Sequence, residues 1–514
     1  MKLQELDIDV DPLPGAMPAF RASVAASELP EVCGWAHARK ARLVALWGSD
    51  ETARGSGFAL HVALAFPSGL LWLSAPLDRS DPRYPGIADT YPAAGRMQRA
   101  CADLLGIVPD DGADQRKWLR HGAWPGGAFP LRKDFDPTKR FAQKPDQYPF
   151  VAVAGEGVHE IPVGPVHAGT IEPGHFRFSI VGEKILRLEE RLGYKHKGIE
   201  KRFEAMTLEE GAKLAGRVSG DSTVAYAWAY AMAVEGATRA EPPPRALALR
   251  GILLELERIA NHLGDLGYLG NDVALTFGFT QFWRLKEDLL RLNARLFGHR
   301  YLMDLVVPGG VARDLQPDQA EGLRAHLESL RAEVATLQSI YEEHAGAQDR
   351  FIMTGQVLPE LAERMGLVGF AARASGVKHD LRVDYPIPPY EQLDCRMISH
   401  TRGDVAARVA VRFEEVFESM RLIQALVQEL PPGAVRRPIA KAGSRARGVG
   451  WIEGWRGEVL VALEADADRI HRLHPHDPSW QNWPLLEHAV HGNIVPDFPL
   501  INKSFNLSYS GADL

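Results

Sequence analysis

The chain has 514 residues, 46% hydrophobic and 24% charged, with a formal net charge of −7 at pH 7. That length favours two or more domains with an ample core, and the mild acidity excludes general nucleic-acid binding. Three cysteines, Cys33, Cys101 and Cys395, form no close pair, which excludes a disulfide framework and an iron–sulfur cluster held by this chain and suits a reducing compartment.

In chain order, Met1 to Asp7 is acidic and polar, without a signal-peptide core. No apolar run approaches the ~18 residues of a spanning helix. The chain is therefore expected to be soluble and to meet a membrane only through other subunits. Residues 1–131 mix helical stretches with strand-like runs at Ala59–Phe66 and Gly69–Leu73, the pattern of an α/β module. Lys133 to Tyr148, rich in Lys, Asp, Pro and Gln, reads as a linker that wraps its neighbour. Two strand-like pieces follow between Val158 and Val181. Helical periodicity then covers Arg250–Leu266, Gln281–Phe297, Pro317–Glu343 and Asp404–Glu429, which predicts a helical bundle. Gly450 to Leu463 alternates as a small terminal sheet would. The expected class is α+β, with an α/β module at 1–131, a linker at 132–157 and a mainly helical domain with small sheets at 158–514.

Two segments carry the most chemical information, Arg217-Val218-Ser219-Gly220-Asp221-Ser222 and Ser504 to Gly511. They resemble the R-x-C-G-x-C and D-P-C-x-x-C motifs of NiFe hydrogenase large subunits, with Ser219, Ser222, Ser508 and Gly511 at the cysteine positions. Around and between them lie Gly164-Pro165-Val166-His167, Glu172 to Phe178, Gly193-Tyr194-Lys195-His196-Lys197-Gly198-Ile199-Glu200-Lys201, Pro308 to Val311, Arg373 to Gly376 and Glu453-Gly454-Trp455-Arg456-Gly457-Glu458. Their order is similar to that of group 4 hydrogenases and of the D subunit of respiratory complex I. Trp118 to Phe135 resembles the end of complex I C subunits. A fused C-plus-D chain is typical of formate hydrogenlyase and hydrogenase-4 large subunits.

The resemblance implies a fold and places candidate residues in it. In that family four thiolates hold nickel and iron. Hydroxyls are hard donors that stay protonated near neutrality and do not replace soft thiolates, so the nickel–iron centre is expected to be absent. Ser219, Asp221, Ser222 and Ser508 are candidates for lining a relict pocket that takes a quinone head group or water; for the pair Ser219 and Ser222 the alternative is helix capping with close packing. Glu172 and His175, on the hairpin that faces the family's metal centre, are candidates for proton handling, or they stiffen the hairpin. Glu200 matches the family's magnesium ligand, with a salt bridge as its alternative. The second of the two quinone ligands known in complex I D subunits, a tyrosine, aligns with Gly220, and Tyr226 and Tyr230 would replace it only if the helix presented them. Basic residues from Arg436 to Arg447 read as a solvated loop, or as a brace for an acidic partner or for anionic lipid near the membrane. The expected partners are an iron–sulfur small subunit resembling the B subunit of complex I and antiporter-like membrane-arm subunits, on the cytoplasmic face of the membrane. Electron transfer from the iron–sulfur partner to a quinone or other acceptor is the expected function, and a non-catalytic scaffold between those partners is the alternative.

Overall fold

A computed structural model describes residues 2–3, 6–112, 114–167, 171–204 and 206–514. The expected hairpin tip at 168–170 and part of the acidic N-terminal segment lie outside the described residues. The N-terminal part is a five-stranded sheet formed by β1 (Asp11–Leu13), β2 (Ala19–Ser23), β3 (Arg42–Asp50), β4 (Phe58–Phe66) and β5 (Gly69–Leu77) in the order β1-β2-β5-β4-β3. Only the β2–β5 pair is parallel. Both expected strand runs, 59–66 and 69–73, lie in β4 and β5, whose near-continuous burial reflects a sheet covered on both faces. Helix α1 (Leu29–Ala38) leads into β3, and α2 (Ala94–Leu105) packs against it.

The segment expected as a linker has no regular secondary structure and is pinned along its length. Tyr148 accepts from Arg99, Asp146 pairs with Arg191, and the Val151 amide donates to Glu189. It leads into an antiparallel sheet of β6 (Val158–Val163), β7 (His175–Val181) and β8 (Lys184–Arg191). The third strand was not visible in the sequence because Glu189, Glu190 and Arg191 are charged, yet all three are buried in ion pairs and hydrogen bonds.

The rest is built around α4 (Thr223–Thr238), which follows the short α3 (Ile199–Phe203). Helix α4 is buried on all sides except at its last turn. One face lies on a C-terminal sheet of β9 (Ala446–Glu453), β10 (Glu458–Asp466) and β11 (Arg469–His476). Backbone meets backbone there: a Cβ at Gly448 or Gly450 would strike the carbonyls of Ala233 and Ala229, so only glycine permits the approach. The expected amphipathic helices are α5 (Pro244–Asp272), α6 (Thr276–Phe297), α7 (Pro317–Glu343) and α8 (Val405–Gln428). Short helices α9 (Ser479–Ala489), α10 (Phe498–Phe505) and α11 (Tyr509–Asp513) close the chain. Two modules meet through β10, where Arg42 pairs with Glu458 at 2.9 Å and Arg54 with Glu464 at 2.6 Å. Among the described residues no helix is long and apolar enough to cross a membrane.

Candidate functional site

The two cysteine-like motifs come together although 289 residues separate Ser219 from Ser508. Ser219 precedes a 3-10 turn at Gly220–Ser222 that feeds α4. Ser508 is the N-cap of α11, and its Oγ accepts from the Gly511 amide at 2.9 Å, as a serine does at a helix start. The Ser219 and Ser508 hydroxyls lie 2.8 Å apart, and Ser219 Oγ donates to Asp221 Oδ1 at 2.8 Å. Ser508 thus caps its helix, whereas the capping alternative concerns Ser219 and Ser222. Ser222 makes no such bond; the carboxylate of Glu257, from α5, accepts from the amides of Val224 at 2.6 Å and Ala225 at 3.1 Å in its place.

Neighbouring charges occupy the space between these motifs. Arg456, in the β9–β10 turn, is 3% exposed at its side chain. Its guanidinium donates to Asp221 Oδ2 at 2.6 Å, to Ser222 Oγ at 3.3 Å and to the Asn506 carbonyl at 2.6 Å, and it stacks 4.2 Å from the Trp455 ring centre. Burial pushes the Asp221 carboxyl upward, but the Arg456 charge and its hydrogen bonds outweigh burial and hold it down at about 2. Asp477 accepts from the Tyr226 hydroxyl at 2.7 Å and from the Ser479 amide at 2.8 Å. Its Oδ2 stands where a Cβ on Gly511 would have to go. Three protonated hydroxyls, a glycine walled off by a carboxylate and a guanidinium already bound do not fit a nickel–iron centre.

The other candidates divide around this cluster. Glu172 accepts from both the hydroxyl and the amide of Ser510 in α11, with Lys195 Nζ at 3.8 Å. That ties the hairpin to the helix that Ser508 caps. His175 instead faces its own hairpin: its Nδ1 lies 3.2 Å from the Gly164 carbonyl, while His167 Nε2 lies 2.8 Å from the Gly174 carbonyl. Those reciprocal bonds close the loop, and burial keeps the His175 imidazole on the neutral side. Glu200 is remote from the serines in its partners. Its carboxylate accepts from Arg472 Nη2 at 2.7 Å and approaches His474 Nδ1 at 2.8 Å. With a guanidinium on the carboxylate, the donor set does not fit magnesium, and among the described residues no group of three or more His, Cys, Asp or Glu side chains is placed to hold a metal. Tyr226 and Tyr230 are fully buried; Tyr226 reaches the cluster through Asp477, and Tyr230 donates to the Leu208 carbonyl at 2.6 Å.

A cleft of about 360 Å3 opens on the outer side of the Gly220–Asp221 turn. Ala260, Leu290, Leu302 and Met303 give it apolar walls, and Asp221, Glu257, Asn261, Lys286, Asn293 and Arg300 bring polar atoms to it. The signals for Arg456 and Gly220 lay in motifs read from the sequence. Asp477, Glu257 and Lys286 carried no local signal.

Comparison with known proteins agrees with this architecture. Residues 22–141 match the family described as the 30 Kd subunit of respiratory-chain NADH dehydrogenase, and residues 272–448 match its 49 Kd subunit. Formate hydrogenlyase subunit 5 of Escherichia coli is 32% identical over 96% of this chain and 88% of its own length. Hydrogenase-4 component G of the same organism is 32% identical over 92% and 83%. The C/D fusion protein of the NADH-quinone oxidoreductase of Bacteroides thetaiotaomicron is 29% identical over 83% and 84%. In fold, the chain is similar to a subunit of the archaeal membrane-bound sulfane sulfur reductase, with a TM-score of 0.66 at 23% identity over 71% of this chain and all of that one. With its 30 Kd-type and 49 Kd-type parts fused in one polypeptide, the chain belongs to the family of formate hydrogenlyase subunit 5, hydrogenase-4 component G and the C/D fusion proteins of NADH-quinone oxidoreductases.

Proposed function

We propose that this chain is the large subunit of a membrane-associated redox complex, that it works without a nickel–iron centre, and that it passes electrons from a partner iron–sulfur subunit to a quinone. Its membrane attachment, on the cytoplasmic face, runs through antiporter-like partner subunits. One observation carries the reading: the cleft beside Gly220 and Asp221 is lined by both apolar and polar side chains, the combination that suits an amphipathic ring. The residues offered to such a ring are the Lys286 ammonium, the Asn293 amide and the buried carboxyl of Glu257. Asp221 stays ionised on Arg456 and braces the turn. Relatives whose names include NADH-quinone oxidoreductase support the acceptor class.

The filled space around Arg456 and Asp477 favours a second reading, a scaffold that holds the iron–sulfur subunit to the membrane arm without chemistry of its own. A photoreactive quinone added to the purified complex separates the two. Labelling of the peptide containing Tyr301, Leu302 and Met303, suppressed by excess unlabelled quinone, is the expected result. Labelling confined to other subunits would support the scaffold.

A further inference from the structure

We infer that Glu257 is the proton donor to the occupant of the cleft, a role that rests on the quinone reading above. Glu257, on α5, lines the cleft and is 5% exposed. Its two oxygens accept the Val224 and Ala225 amides, which fix the carboxyl in place at the wall of the cleft. One turn further along, Asn261 donates to the Glu257 carbonyl and to the Asp221 carbonyl, locking helix and turn together.

The charges around Glu257 come from four elements. Asp221, in the turn before α4, is an anion and disfavours a second one nearby. Arg258, next on α5, spends its guanidinium on Glu255 and on the carbonyls of Glu453 and Gly454. Lys286 on α6 and Arg300 beyond it line the opposite wall. Burial pushes the Glu257 carboxyl up, the two amides pull it back, and the Asp221 charge raises it again, to about 8. A group so placed holds its proton at neutral pH and gives it up to a stronger base. Across the cleft, Asn293 Oδ1 is buried with no hydrogen-bond partner in the chain.

Reduction of a quinone to a quinol consumes two electrons and two protons. The electrons come one at a time from the partner's reduced iron–sulfur cluster, which is oxidised. Glu257 supplies one proton: its O–H bond breaks as an O–H bond forms on a quinone oxygen, and the carboxylate left behind rests on two amides. Water at the cleft mouth supplies the other proton and later reprotonates Glu257.

The test uses the whole complex with its native partners. Infrared spectra of the wild type should contain a protonated-carboxyl band that titrates away as the pH is raised through about 8 and is missing in Glu257→Gln. Reoxidation of the reduced clusters by added quinone should slow about a hundredfold in Glu257→Gln, whereas Glu257→Asp, which keeps an acid, should retain a rate that falls with rising pH. An unchanged rate and pH profile in Glu257→Gln, or an unchanged carboxyl band, would overturn the inference while leaving the quinone reading intact. A wild-type complex that no quinone reoxidises would overturn the quinone reading and this step with it, even if the Glu257 band is present.

Discussion

Arg456 donates to both carboxylate oxygens of Asp221, at 2.6 Å to Oδ2 and 3.4 Å to Oδ1, within the space where the two cysteine-like motifs converge. The two partners are unequally buried, with side-chain exposures of 3% for Arg456 and 40% for Asp221. Their loss should therefore be unequal. Asp221→Asn strands a buried guanidinium and should cost about 3 kcal/mol. Arg456→Met leaves a carboxylate that water at the cleft mouth can reach, and should cost about 1 kcal/mol. Chemical denaturation of the two variants checks the order; equal costs would mean that the pair is equally dry on both sides.

Asp477 sets how much side chain position 511 tolerates. Gly511→Ala places a Cβ against Asp477 Oδ2 and should destabilise by about 1–3 kcal/mol. The penalty should shrink in an Asp477→Ala background, which removes the obstacle, although that change leaves the Tyr226 hydroxyl unpaired. A double-mutant cycle measures the coupling. It follows that returning cysteines to 219, 222, 508 and 511 does not rebuild a metal site, and hydrogen uptake by that quadruple variant without added maturation factors would contradict this.

Glu200 gives an acid-side signature. Burial alone would raise its carboxyl, but Arg472 and His474 hold it at about 2, below the ordinary value of ~4.3. A depressed folded-state value contributes stability above the ordinary value, and that contribution is lost as pH falls from about 4 toward 2. Glu200→Gln should lose about 3–5 kcal/mol at pH 7 by stranding Arg472 and show a flatter acid limb. Magnesium should leave the melting temperature of the wild type unchanged.

For Glu257 the sign reverses. Its raised value means that the folded chain binds a proton which the unfolded chain has released, so stability falls as pH rises from about 4 through about 8. Glu257→Gln should remove that slope. Melting temperatures near the two ends of this window, at about pH 5 and about pH 8, suffice to check it.

How much of this was legible depends on how far apart the partners lie in sequence. Helices α5 to α8 were readable because one apolar face recurs at about 3.6 residues over many turns. Strands β8 and β11 were not, since Glu189, Arg472 and His474 look like surface residues until their partners across the fold are known. Ser219, Asp221, Ser222 and Ser508 were found from motif spacing, and Glu172 joins them through Ser510. The sequence leaves His175 between proton handling and stiffening the hairpin; the fold sets its Nδ1 against the hairpin's own backbone. Arg456 stood in a recognised motif, but only the fold places its charge on Asp221, 235 residues away. Asp477 and Glu257 gave no local pattern at all.

If the cleft beside Asp221 binds the electron acceptor, reoxidation of the partner's clusters depends on the space within it. The complex would be purified from membranes with its partners, its iron–sulfur clusters reduced, and a quinone added while cluster absorbance is followed. Fast reoxidation that is lost when Met303→Trp fills the cleft is the expected result. Reoxidation equally fast in Met303→Trp, or none in the wild type with any quinone, would contradict it.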